Sequence, residues 1–254
     1  MTALEETYRI EQEKWDALAL STGTTGDLVL PPGDFHDYAR RTATFVGVAD
    51  FVGDLHGRRV LEYGCGLGHL SVLLARSGAQ VSGFDLSPRS VTVARDRALQ
   101  NGVADRIELT VAPGEKLPYD DESFDVVVGK AILHHLDVER GWPELVRVVR
   151  PGGKAVFVEP MGMNPILNLV RDRVPYPHKN PRGADRPLTY REIHAWGRGF
   201  TDFRYREIQL FSMLERGLGF GKRLGLLRRL DDVVLERMPY LRRHCRYVVM
   251  TMVK

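Results

Sequence analysis

The residues with the clearest chemical potential gather around one short loop. Gly64, Gly66 and Gly68, with Cys65 and Leu67 between them, form G-x-G-x-G directly after the apolar run Val60 to Tyr63. Glycines at this spacing let the backbone turn sharply and let a ligand lie against it without a Cβ in the way. The periodic stretch Leu70 to Ala75 predicts a helix behind the loop, whose first turn offers free amide donors and a partial positive charge. Alone, the loop predicts only a nucleotide-like ligand. A dinucleotide fingerprint needs glycine at the sixth place, where this chain has His69, and that weighs against a nicotinamide cofactor.

Two carboxylates sharpen the reading. Glu62 precedes the first glycine by two residues, so alternation along a strand points it to the side on which the loop begins. It can hold a ligand's ammonium directly or through water. Asp85 closes the next apolar run, VSGFD. A carboxylate there accepts hydrogen bonds from both hydroxyls of a ribose and disfavours a 2′-phosphate.

The elements that must position these groups follow from alternation. Short β-rich runs begin at 60 (VLEY), 81 (VSGFD), 107 (IELTV), 124 (FDVVVG) and 154 (KAVFVE), with helical stretches between them. That order predicts a parallel sheet with crossover helices. Ser87 caps a helix starting at Pro88, Asn101-Gly102 ends it, and Pro151-Gly152-Gly153 turns the chain into the fifth strand. RYREIQLF from 204 and CRYVVMTMV from 245 read as a closing hairpin at the sheet edge. The fold class expected is α/β, a Rossmann-like seven-stranded mostly parallel sheet with helices on both faces. One domain is expected, with a helical cap over residues 1–56, built from a helix over about 1–20 and another from Asp37 to Leu55. The cofactor-binding core then covers 57–160, a proline-rich, lid-like insert 161–200, and closing strands with a basic helix 201–254.

Composition narrows the class. The 254 residues are 43% hydrophobic and 27% charged, with a formal charge of +3, which is ordinary for a globular protein. No apolar run approaches the roughly 20 residues of a membrane span, and acids occupy the first thirty residues, so a soluble, cytoplasmic protein is expected. Cys65 and Cys245 lack metal-site or disulfide spacing and read as reduced thiols, and no metal is expected. Basic residues concentrate near the end, from Lys222 to Arg246. Leu224, Leu227, Leu230, Val234 and Leu235 recur there at helical spacing, so the cluster reads as a solvated face opposite a buried stripe.

The ordered motifs VLEYGCGLG at 60, GFDLSPRSVTVA at 83, LPYDDESFDVV at 117, LHHL at 133 and RVVRPGG at 147 resemble those of the class I S-adenosylmethionine-dependent methyltransferases. More narrowly, they resemble the bacterial small-molecule, UbiE-like group, over about residues 58–160. The resemblance implies that Glu62, Gly64, Cys65, Gly66 and Gly68 line the methionine part of S-adenosyl-L-methionine. It places Asp85 on the ribose, Leu86 on the adenine, Gly114 and Glu115 at the adenine edge, and Gly129 and Lys130 toward the methionine end. The chain departs from the pattern at Pro113, which stands where an Asp normally accepts from the adenine amino group.

Methyl transfer is an in-line displacement that needs alignment, dryness and a lone pair, with a general base optional. His134, His135 and Glu159 follow the fourth and fifth strands at the carboxyl edge of the sheet and are the candidate catalytic residues. A packing or capping role stands beside the chemical one for each. Arg171, Arg173, Lys179, Arg182 and Arg186 in the insert can cradle an acidic or phosphorylated acceptor, or form a solvated loop. Tyr8, Trp15, Phe35 and Tyr38 can wall the acceptor site or be core, and core is the simpler reading. The chain shows GKAILHH rather than an N-P-P-Y segment after the fourth strand, so nucleic acid is not the expected acceptor. The leading expectation is O-, N- or C-methylation of a small metabolite. A non-catalytic S-adenosylmethionine-binding module and an NAD-dependent oxidoreductase are the competing classes.

Overall fold

The computed structural model describes residues 3–22, 28–173, 186–214 and 224–254. Helix α1 (Ala3–Thr22) precedes two short helices, α2 (Phe35–Arg41) and α3 (Val48–Val52). The chain then alternates through β1 (Arg59–Tyr63), α4 (His69–Arg76), β2 (Gln80–Asp85), α5 (Pro88–Gln100), β3 (Ile107–Val111), β4 (Phe124–Lys130), α6 (Val138–Val148) and β5 (Val149–Pro160). It finishes with α7 (Pro165–Arg173), α8 (Tyr190–Trp196), β6 (Asp202–Ile208), α9 (Leu224–Arg237) and β7 (Tyr247–Val253).

The strands form one seven-stranded sheet in the order β3-β2-β1-β4-β5-β7-β6. The first five are parallel, and β7 runs antiparallel between β5 and β6, so β6 is the edge. Helices cover both faces, which is why β4 carries the unbroken apolar run Val126 to Val128 rather than an alternating pattern. Tyr63, Phe84, Phe157, Leu145 and Trp196 fill one interior layer, and Val60, Val72, Leu74, Val126 and Val158 the other. Tyr63 of β1 stands level with Phe84 of β2 and Gly129 of β4, so the three carboxyl ends emerge together.

Three expectations change. The single helix expected over 37–55 is two. Asp34 caps α2 by accepting from the Asp37 amide at 2.9 Å, Thr42 ends it in extended geometry, and Gly47 at φ 74° precedes α3. This segment is not a cap, because Phe35, Phe45 and Val48 are fully buried in the sheet's second layer; only α1 lies outside it, along α5.

The insert also contains ordinary framework. Thr189 and Glu192 form a capping box that starts α8, and Trp196 packs so tightly on α6 that a Cβ at Gly141 would lie 2.5 Å from its ring. Pro175, Pro177, Lys179, Pro181 and Arg182 lie outside the described residues.

The C-terminal basic helix differs as well. Leu235 is buried, but Leu230 is 44% exposed, while Asp231 is buried. Asp231 accepts from the amides of Leu210, Phe211 and Ser212 at 3.1, 2.7 and 3.2 Å, so a buried acid of this basic helix pins the turn after β6. The Leu224 side chain lies outside the described set. Both cysteines are buried and free, and burial pushes the Cys245 thiol up to about 12. Among the described residues no helix is long and apolar enough to cross a membrane, and no cluster of potential metal ligands occurs.

Candidate active site

The carboxyl ends of β1 to β4 open into a cavity of about 650 Å³, and α1 lies across it. Its floor is the glycine loop. Gly64, at φ 75°, packs against Ile132 so closely that a Cβ would come within 2.6 Å of that side chain. Gly68, at φ 77°, meets Ala94 of α5 at 2.7 Å in the same way. Gly64, Cys65 and Gly66 line the cavity, whereas Gly68 lies behind it and lets α4 approach α5.

Glu62 is 3% exposed and accepts a hydrogen bond from the Ser71 hydroxyl. Burial pushes its carboxyl up to about 8, against the opposing pull of Ser71. Asp85 accepts from the Gly66 amide at 2.8 Å and the Ser87 amide at 3.0 Å, which ties the second strand to the loop, and burial raises its pKa as well. Each oxygen keeps a further lone pair for a ligand. Neither carboxylate has a cationic side chain within ion-pair distance among the described residues.

Leu86, Ala112, Pro113 and Gly114 form the wall beyond Asp85. The Gly114 carbonyl accepts from Tyr63 Oη at 2.5 Å. Glu115 also lines the cavity, but its oxygens already accept from Tyr8 Oη at 2.9 Å and the Asp137 amide at 3.1 Å. Gly129 does not reach the wall. It makes room for Phe157, whose ring would lie 2.4 Å from an added Cβ. Lys130 does line the cavity, at its mouth, and donates to Tyr38 Oη at 3.1 Å.

The three catalytic candidates separate. His135 lines the cavity. Glu159 is fully buried and accepts from the Ile132 and Leu133 amides at 2.8 and 3.0 Å, with His134 Nδ1 at 2.7 Å. Their side chains are only 0% and 5% exposed, so the expectation that Glu159 and His134 meet a substrate is corrected. A buried carboxylate requires donors on all sides, and here they come from the loop that follows Ala131 at φ 54°. Glu159 thereby fixes the backbone that presents Ile132 and His135.

Helix α1 is attached over the cavity by polar contacts along one face. Tyr8 bonds Glu115, Glu11 Oε2 lies 3.5 Å from His135 Nδ1, and Asp16 accepts from the Ser87 hydroxyl and from the Arg89 amide. Burial opposes ionisation of Glu11, but His135, Lys14 and Trp15 outweigh it and bring its pKa down to about 2. Trp15 and Tyr38 face the cavity, whereas Phe35 belongs to the core. Of the basic residues in the insert, Arg173 and Arg186 are exposed and are not part of the cavity wall. The Arg171 side chain lies outside the described residues.

Glu11, His69, Ile132, Leu136 and Asp137 also line the site, and sequence reasoning missed them as site residues. The recurrence of Tyr8, Glu11 and Trp15 on one helical face was the available signal. His69 enters the sequence pattern only as a missing glycine. Burial, with Arg97 and Lys130 nearby, lowers its pKa and favours the neutral imidazole.

Residues 61–157 match the model of a family described as "Methyltransferase domain". The methyltransferase GfsG of Streptomyces halstedii is 38% identical over 105 residues, which cover 41% of this chain and 38% of that protein. The ubiquinone/menaquinone biosynthesis C-methyltransferase UbiE of Geobacter sulfurreducens is 35% identical over 107 residues, 41% of this chain and 42% of that one. The chain thus matches about two fifths of the length of these relatives. Among solved structures, the [4+2]-cyclase SpnF superposes with a TM-score of 0.61 at 19% identity, covering 98% of this chain and 96% of that chain. Residues 61–157, which supply most of the cavity wall, thus match a methyltransferase domain family and are similar to parts of these named methyltransferases.

Proposed function

We propose that the chain transfers a methyl group from S-adenosyl-L-methionine to oxygen, nitrogen or carbon of a small, partly apolar metabolite. The observation that carries this reading is the pair of partly or fully buried carboxylates, Glu62 and Asp85, facing one cavity without a cationic partner within ion-pair distance among the described residues. A ligand bearing an ammonium at one point and a hydroxylated ring at another complements them. The cavity volume also lies within the range for such ligands, roughly 300–1,000 Å³.

The donor would supply an electrophilic methyl carbon on a positively charged sulfur. Glu62 would hold the ammonium, and Asp85 the ribose hydroxyls through lone pairs left free by Gly66 and Ser87. Leu86, Pro113 and Gly114 would enclose the adenine, with the Gly114 amide beside Pro113 as the polar contact. The backbone at 64–66 would allow close approach. Helix α1 would exclude water, which strengthens each polar contact inside and favours a reaction that discharges a cation. His135 and the neutral His69 are the imidazoles placed to accept a proton from an acceptor that carries one. Acceptor choice would rest with α1, the mouth of the cavity and the 161–200 segment.

The test is calorimetric titration with S-adenosylmethionine, S-adenosylhomocysteine and NAD, followed by isotope-labelled methyl transfer into a metabolite extract. Binding of the first two and labelling of a small molecule are expected. A folded protein that binds neither would overturn the proposal, and binding without transfer would favour a non-catalytic module.

A further inference from the structure

Lys130 stands at the mouth of the cavity, exposed and toward its methionine end. The register sets Gly129 of β4 opposite Tyr63 of β1, so the lysine stands beside the first glycine of the loop. Its ammonium donates to Tyr38 Oη at 3.1 Å and lies 5.8 and 5.7 Å from the centres of the Tyr38 and Phe45 rings. Tyr38 is held in turn by edge contact with Phe45 at 5.2 Å and by the His69 ring at 5.7 Å. Among the described residues no carboxylate comes within ion-pair distance of Lys130.

The other charged wall residues, histidines aside, are the acids Glu11, Glu62, Asp85, Glu115 and Asp137. A lysine paired with one of them would have its charge cancelled. Held instead by the Tyr38 hydroxyl, with the centre of the Phe45 ring 5.7 Å away, Lys130 keeps its charge and two of its three N–H donors. At this end of the cavity that charge opposes a sulfonium, because like charges repel more strongly once water leaves. The donor's own methionine carboxylate can take one of the lysine's remaining N–H groups, and the other is left for an anionic oxygen on the acceptor. Ile132, packed against Gly64, gives the same end of the cavity an apolar wall.

We propose that Lys130 is the acceptor-recognition residue, and that the acceptor enters with an ionised oxygen, a phenolate, enolate or carboxylate, on an otherwise apolar body. This rests on the methyltransferase reading. The acceptor's oxygen gives a lone pair to the methyl carbon, the carbon–sulfur bond breaks, and its electron pair stays on sulfur. A neutral methyl ether or ester and a neutral thioether result. Lys130 then faces a product that has lost its charge, which favours release.

The experiment titrates the protein saturated with S-adenosylhomocysteine with benzoate and with its neutral isostere benzamide, in wild type, Lys130→Met and Lys130→Arg. Wild type is expected to prefer benzoate by about tenfold or more. The preference should vanish in Lys130→Met and largely survive in Lys130→Arg, each measured at saturating S-adenosylhomocysteine. The affinity for S-adenosylmethionine relative to S-adenosylhomocysteine should rise severalfold in Lys130→Met, because the repulsion is gone. Absent benzoate binding, equal affinity for the two probes in wild type, or a preference that survives Lys130→Met would overturn the proposal. Failure of folded wild type to bind S-adenosylhomocysteine would overturn the methyltransferase reading and this proposal with it.

Discussion

Glu62 carries the sharpest linkage between structure and solution behaviour. Its pKa is 4.5 when the chain is unfolded and about 8 when buried, so the folded state binds the proton more tightly. Its contribution to stability is full below pH 4.5 and is lost as pH rises toward 8, a tenfold difference in proton affinity being worth about 1.4 kcal/mol. Urea midpoints should therefore fall across that window by an amount that Glu62→Gln removes; identical pH profiles for the two proteins would contradict this. An ammonium placed against Glu62 lets it ionise, so donor binding near pH 7 should release a proton, detectable by calorimetry in buffers of different ionisation enthalpy. Asp85→Ala should weaken S-adenosylhomocysteine binding by tenfold or more, about 1.4 kcal/mol or above, because it removes both the hydroxyl acceptor and the tie to Gly66. Both carboxylates were legible in the sequence because a strand end and a glycine loop fix which side they face. Glu159 was not, since its orientation depends on a backbone reversal at Ala131 that no pattern announces.

At the scale of elements, the alternation of apolar runs located the strands of the sheet, because residues buried on both faces leave an uninterrupted apolar signature. The segment 35–55 departs from its sequence pattern for a physical reason. Its apolar residues satisfy helical spacing, but Thr42 and Gly47 break the backbone, and tertiary burial of Phe35, Phe45 and Val48 holds the two short helices together. Helix α1 shows the opposite case, because its face toward the cavity is polar as much as apolar. Tyr8→Phe removes a hydrogen bond to Glu115 worth about 0.5–1.5 kcal/mol. It should raise the dissociation rate of S-adenosylhomocysteine by roughly threefold to tenfold and lower Tm by about 1–6 °C. A variant whose release rate matches wild type would show that α1 does not restrain the ligand. Glu159→Gln, by contrast, belongs to the framework. It leaves buried donors of the 132–134 loop poorly matched, and should lower stability by about 1–3 kcal/mol in chemical unfolding.

For the whole molecule, the donor cavity and the elements around it are coupled because the ligand would touch the sheet ends and α1 together. Anything that binds only the folded state stabilises it, by about 2.7 kcal/mol at a hundredfold excess over Kd. In a chain of this size that corresponds to a rise in Tm of roughly 5–10 °C. S-adenosylhomocysteine should produce such a shift and NAD should not, since His69 occupies the place of the third dinucleotide glycine. The distribution of the gain matters more than its size. The contacts from α1 to Glu115, His135 and Ser87 all lie at the cavity edge, so the amides of α1 should gain protection from hydrogen exchange when the ligand binds, together with those of the glycine loop. The amides of β6 and β7, on the far side of β5 from the loop, should change only through the global stability. Protection confined to the loop, with α1 exchanging as fast as before, would mean that the cavity is closed by something other than α1.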